Sequence, residues 1–64
     1  MIADLFKQKA ELYGLPQEDL ANAVSALQYE DDGMVASAKE YRKMIVSSSP
    51  DVWTAARELK EELK

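Results

Sequence analysis

The chain has 64 residues, 47% hydrophobic and 31% charged, a composition that predicts a single folded domain over residues 1–64 and excludes both intrinsic disorder and a two-domain arrangement. Twelve acidic residues against eight basic ones leave a formal charge of −4, which argues against a general nucleic-acid or anionic-membrane binder, because phosphate would be repelled. With no Cys and no His, the chain can form neither a disulfide nor a Cys/His zinc site, and it lacks the two side chains that supply most general bases and strong nucleophiles.

Gly14, Pro16, Gly33 and Pro50 punctuate the chain into four segments, each with helical spacing of its apolar residues and none with the alternation of a strand. The expected fold class is therefore all-α, a small compact bundle of three to four short helices. The first helix is expected over about Ala3 to Tyr13, with Ile2, Leu5, Phe6, Leu12 and Tyr13 on its buried side and Asp4 near its positive end. Gly14 stands where a helix ends in the left-handed conformation, and Pro16 suits the first position of the next helix, followed by Glu18 and Asp19 in its first turn.

The second helix is expected to run to about Tyr29, with a stripe of Leu20, Ala23, Val24 and Leu27. Glu30, Asp31 and Asp32 would oppose the negative end of that helix, so they are expected in the loop, capping the third helix, with Gly33 easing the turn. The third helix is expected over Met34 to Val46, with Met34, Ala38, Tyr41 and Ile45 in one stripe, Val35 beside it, and Lys39, Arg42 and Lys43 toward its negative end. Ser47, Ser48 and Ser49 break it. Ser49 then caps a fourth helix that starts at Pro50 and runs to the C-terminus with Val52, Ala56, Leu59 and Leu63 facing inward.

No constellation of these residues points to catalysis: the serines have no adjacent base to activate them beyond Lys43, and their spacing already serves a helix break and a cap. Glu30, Asp31 and Asp32 lack the alternate spacing and distant bidentate Glu of a calcium loop. No enzyme activity, cofactor or metal is therefore expected. From Gln17 to Asp32 there are five acids and no base, which predicts a negative face for a basic partner.

Gln17, Glu18, Asp19, Leu20 and Ala21 resemble the first helix of helix-turn-helix repressors, which implies a small DNA-binding regulator as an alternative function, with Lys39, Arg42 and Lys43 as its basic contribution. Ser25 stands where that family has glycine, and Glu30, Asp31 and Asp32 fall in the segment that would enter the major groove. Tyr13, Gly14 and Leu15, with Gly33, Val35 and Ala38 further on, also resemble the loop and later helix start of ubiquitin-associated domains, although the stretch between them is several residues longer than in that family.

The favoured function is a non-enzymatic protein-interaction or regulatory module working through helix faces, either with another protein or with a second copy as a dimer. Trp53 and Tyr29 lie off the main stripes and are the expected anchors, with Glu30, Asp31 and Asp32 as the charged part of the same contact; Ala21, Ala26 and Ala36 would let a partner helix approach closely. No apolar run reaches the length of a membrane span and no secretory leader is evident, so the expected location is cytoplasmic.

Overall fold

A computed structural model describes residues 2–63, with side chains from Asp4 to Leu63. Four helices follow one another: α1 (Ile2–Tyr13), α2 (Gln17–Asp31), α3 (Val35–Lys43) and α4 (Asp51–Glu62). No strand occurs among the described residues. Helix α2 is the hub, packing against each of the other three, while α1 and α4 also pack on each other. The Cα atoms span 29 × 26 × 16 Å, so the bundle is about two helix layers deep.

The first two helices end by the same device. Gly14 at φ +66° lets the Leu15 N–H return to the Ala10 carbonyl at 2.8 Å and its own N–H reach Glu11 at 3.3 Å. Gly33 at φ +78° repeats this, with Met34 donating to Tyr29 at 2.8 Å and Gly33 to Glu30 at 3.0 Å. These paired bonds satisfy carbonyls that a helix end otherwise leaves without partners. Ser49 Oγ accepts the Asp51 N–H at 3.2 Å, but α4 begins at Asp51 rather than at Pro50, which is the boundary residue, at φ −66° and ψ −15°. Pro16 instead stays extended, at φ −63° and ψ 133°, so α2 begins one residue after it.

The central cluster is built of Ala10 from α1, Leu20 and Ala23 from α2, and Val52, Ala55, Ala56 and Leu59 from α4, with Leu5, Phe6, Tyr13, Leu15, Val24, Leu27, Ile45 and Trp53 packed around it. Small residues at the crossings let three short helices approach closely, which is how so short a chain reaches a dry centre.

Several expectations are corrected. Leu12 is 73% exposed rather than buried, although Leu5, seven residues earlier on nearly the same side of α1, packs against the central cluster. The Ile2 side chain lies outside the described side chains. Met34 and Val35, placed on the inner side of the third helix, are exposed, and Leu63 is partly so. Helix α3 ends at Lys43 rather than Val46, because the Val46 and Ser47 N–H groups are drawn away to Asp19 and no longer point along a helix axis. Glu30 and Asp31 form the last turn of α2 rather than a loop, and Asp32 closes that helix. The dipole penalty that argued against this is offset by cations from elsewhere: Arg42 pairs with Glu30 and Lys60 with Asp31. Neither acid caps α3, whose boundary residue is Met34.

Candidate functional site

On a face shared by α2, α3 and α4, the chain brings together three aromatic residues and an ion pair. Tyr29 of α2 and Tyr41 of α3 stack with ring centroids 5.4 Å apart and planes inclined by 20°. One residue on along each helix, Glu30 and Arg42 form an ion pair. The Arg42 guanidinium also lies 4.3 Å from the centre of the Trp53 ring of α4, so one side chain ties three helices together. Stacking and cation–π contacts of this kind contribute about 0.5–1.5 kcal/mol each, and they also fix rotamers that would otherwise be disordered on a surface.

Tyr29, Tyr41 and Trp53 are half-buried, and Glu30 and Arg42 are exposed. The two expected anchors are thus neither free on the surface nor sealed in the core: Trp53 has one edge against the central cluster and Tyr29 lies on Tyr41. Of the five residues singled out from sequence, the fold brings Trp53, Tyr29 and Glu30 onto one face. Asp31 points elsewhere, to Lys60 of α4 beside a shallow depression lined by Leu27, Arg57 and Glu61, and Asp32 accepts a hydrogen bond from Gln28 at 3.3 Å. The three consecutive carboxylates therefore diverge, and among the described residues no group of three acids converges as metal ligands would. Of the five acids between Gln17 and Asp32, Glu30 and Asp31 are paired with cations, Asp19 is buried against two backbone amides, and Asp32 accepts from a neutral amide, so the negative face expected there is reduced in part.

Sequence reasoning missed Tyr41 and Arg42 as members of this face. Periodicity puts Tyr41 on the core stripe, and the residue types around Arg42 suggest a cation suited to a helix end or to DNA. The usable signal was the matched spacing of Tyr29–Glu30 and Tyr41–Arg42, an aromatic followed by opposite charges on neighbouring helices. Ala26, expected to receive a partner helix, is buried within the chain, as is Ala38 of α3; Ala21 and Ala36 are exposed.

A second polar cluster pins α1 to α4. The Tyr13 hydroxyl lies 2.8 Å from both carboxylate oxygens of Glu58 and donates to them, and Lys9 reaches Glu58 at 3.3 Å and Glu62 at 3.1 Å. The hydrogen bond from Tyr13, with that from Lys9, holds the Glu58 carboxyl below the usual carboxylate range. The same bond raises the Tyr13 phenol, and the bond to Glu62 is the main cause of the raised Lys9 ammonium. Each shift moves its group away from neutrality, the opposite of what proton transfer at physiological pH requires.

The turn that a helix-turn-helix register needs near Ser25 falls inside the continuous helix α2. Of the α3 cations, Arg42 is engaged by Glu30 and Trp53, and Lys43 lies 3.4 Å from Glu40. No helix is long and apolar enough to cross a membrane among the described residues. No protein-family model, curated protein sequence or solved structure matches the chain, so the reading of this face rests on its own residues.

Proposed function

We propose that this chain is a protein-docking module that pairs with a second copy of itself through the face made by Tyr29, Glu30, Tyr41, Arg42 and Trp53. The observation that carries the reading is the Arg42 guanidinium held between Glu30 and the Trp53 ring beside a stacked tyrosine pair. Trp, Tyr and Arg are the residue types in which interface energy concentrates, and here they are pre-ordered, so association sacrifices little side-chain entropy. A two-fold contact sets the same patch against itself, and a face with an acid and a base side by side is complementary to its own copy. Half-exposed Met34 and Met44 flank α3 and supply adaptable apolar area at its edges.

The reading calls for no catalysis and no cofactor, and it places the module in the cytoplasm. It is tested by sedimentation or light scattering over a wide concentration range, with Arg42→Ala and Trp53→Ala variants whose helicity is checked by circular dichroism. A dimer that Arg42→Ala weakens by at least tenfold supports the face. A wild-type chain that stays monomeric at millimolar concentration, or a dimer indifferent to Arg42→Ala, overturns it.

A further inference from the structure

We infer that α3 and the segment after it form a hinged flap on α2, closed by the buried carboxylate of Asp19. The central cluster lies on α1, α2 and α4, and α3 supplies none of its fully buried members. Within α3 only Ala38 is fully buried. Among the described residues α3 packs closely against α2 alone, and it reaches α4 through the side chain of Arg42. All seven fully buried members of the central cluster lie on α1, α2 and α4, so none of them is lost with α3.

The far end of the flap is held by Ile45 against the central cluster and, through hydrogen bonds, by Asp19. Asp19, in the first turn of α2, is 2% exposed, and its two oxygens accept the Val46 N–H at 3.1 Å and the Ser47 N–H at 2.8 Å. No Lys or Arg among the described residues pairs with it, so those two amides and the positive end of α2 are what stabilise its charge away from water. The bonds span 27 and 28 residues of chain and fasten the α3–α4 connection to the start of α2. The same segment carries Val46, 84% exposed, and Met44, 49% exposed, while Ile45 between them packs against the central cluster. A carboxylate that is buried only while the segment is seated makes seating all-or-none: water must enter as the two amides leave.

Opening the flap takes Tyr41 from Tyr29 and Arg42 from Trp53 and Glu30, and so dissolves the proposed docking face while the central cluster persists. The flap itself does not rest on that face being an interface; only the functional consequence does. Regions of this kind belong to the low-stability end of a fold and open separately from its core.

Native-state amide hydrogen exchange on the full chain, through a series of low denaturant concentrations, tests the inference. The expected result is that the amides of Val46 and Ser47 and those in the interior of α3 exchange as one group, through an opening more frequent than that of α2 near Ala23 or α4 near Ala56. Asp19→Asn, which keeps the shape but removes the charge and replaces one of the two acceptor oxygens with a donor facing an amide N–H, is expected to speed that group roughly ten- to hundredfold and to leave α1, α2 and α4 protection unchanged. Equal opening of α3 and α4 in the wild-type chain, or a uniform acceleration of all four helices in Asp19→Asn, overturns the flap. If Asp19→Asn does not fold, the wild-type profile alone decides. A monomer with a separately opening α3 leaves the flap standing and removes the docking face, and a dimer with uniform exchange does the reverse.

Discussion

Replacing Leu59 by Ala tests the packing of the bundle at its most sensitive point. Leu59 is fully buried on α4 amid contributions from three helices, and four of the seven buried cluster members are alanines: Ala10, Ala23, Ala55 and Ala56. Burying a leucine and then truncating it to alanine costs about 2–5 kcal/mol, with the upper part of the range reached where neighbours cannot collapse into the void. Alanines have no side-chain freedom with which to collapse, so the loss here is expected at about 3–4 kcal/mol. A domain of this length has about 3–10 kcal/mol of stability in all, so the variant should lie close to its unfolding threshold. The melting temperature should fall by more than about 12 °C at about 4–8 °C per kcal/mol. Urea titration followed by fluorescence of Trp53, the single tryptophan, measures it, with Leu12→Ala as the internal comparison. Leu12, 73% exposed, should change stability by less than about 0.5 kcal/mol. A Leu59→Ala loss below about 1 kcal/mol, or one equal to that of Leu12→Ala, refutes the packing argument.

Other perturbations read other parts of the structure. Gly33→Ala should cost about 1–2 kcal/mol through backbone strain alone, because Gly33 has φ +78° and a new methyl there meets nothing within 4 Å; thermal melting reads it, and a neutral outcome would mean the turn adopts another shape. Ser49→Ala should cost about 1 kcal/mol by leaving the Asp51 N–H without its side-chain acceptor, seen in the same melts as a lower midpoint. The Tyr13–Glu58–Lys9 cluster should give stability a plateau across neutral pH. Glu58, lowered by its hydrogen bonds, contributes above the ordinary carboxylate value and loses that contribution as pH falls through its folded value. Tyr13 and Lys9, both raised, contribute below their ordinary values and lose it as pH climbs through their folded ones. Tyr13→Phe should therefore return the Glu58 titration toward the usual carboxylate range in a carboxyl NMR titration; no movement of Glu58 would remove Tyr13 as the cause.

The helices and their ends were legible because their signals act over a few residues. Gly14 and Gly33 stop helices by reaching a left-handed conformation that other residues resist, and Ser49 with Pro50 starts one through a local hydrogen bond and a preset φ. None of this depends on a distant neighbour, so the all-helical class and four segments follow from the order of residues. The same locality explains the failures. Glu30 and Asp31 looked out of place at a helix end only because Arg42 and Lys60, which offset them, are 12 and 29 residues away.

Of the proposed docking face, Trp53, Tyr29 and Glu30 could be picked out by residue type and position off the stripes, but not the Arg42 and Tyr41 that order them, since stacking and cation–π contacts are made across helices. Asp19 is the sharpest case. By sequence it resembles Glu18, its neighbour in the same first turn, yet Glu18 is exposed and Asp19 buried, because α2 turns one side of that turn toward the Val46–Ser47 amides. Leu12 and Leu59 differ in the same way. Periodicity marks a residue as able to be buried, but which side of a helix is covered depends on where the next helices cross it, and that is set by the summed packing of the whole chain.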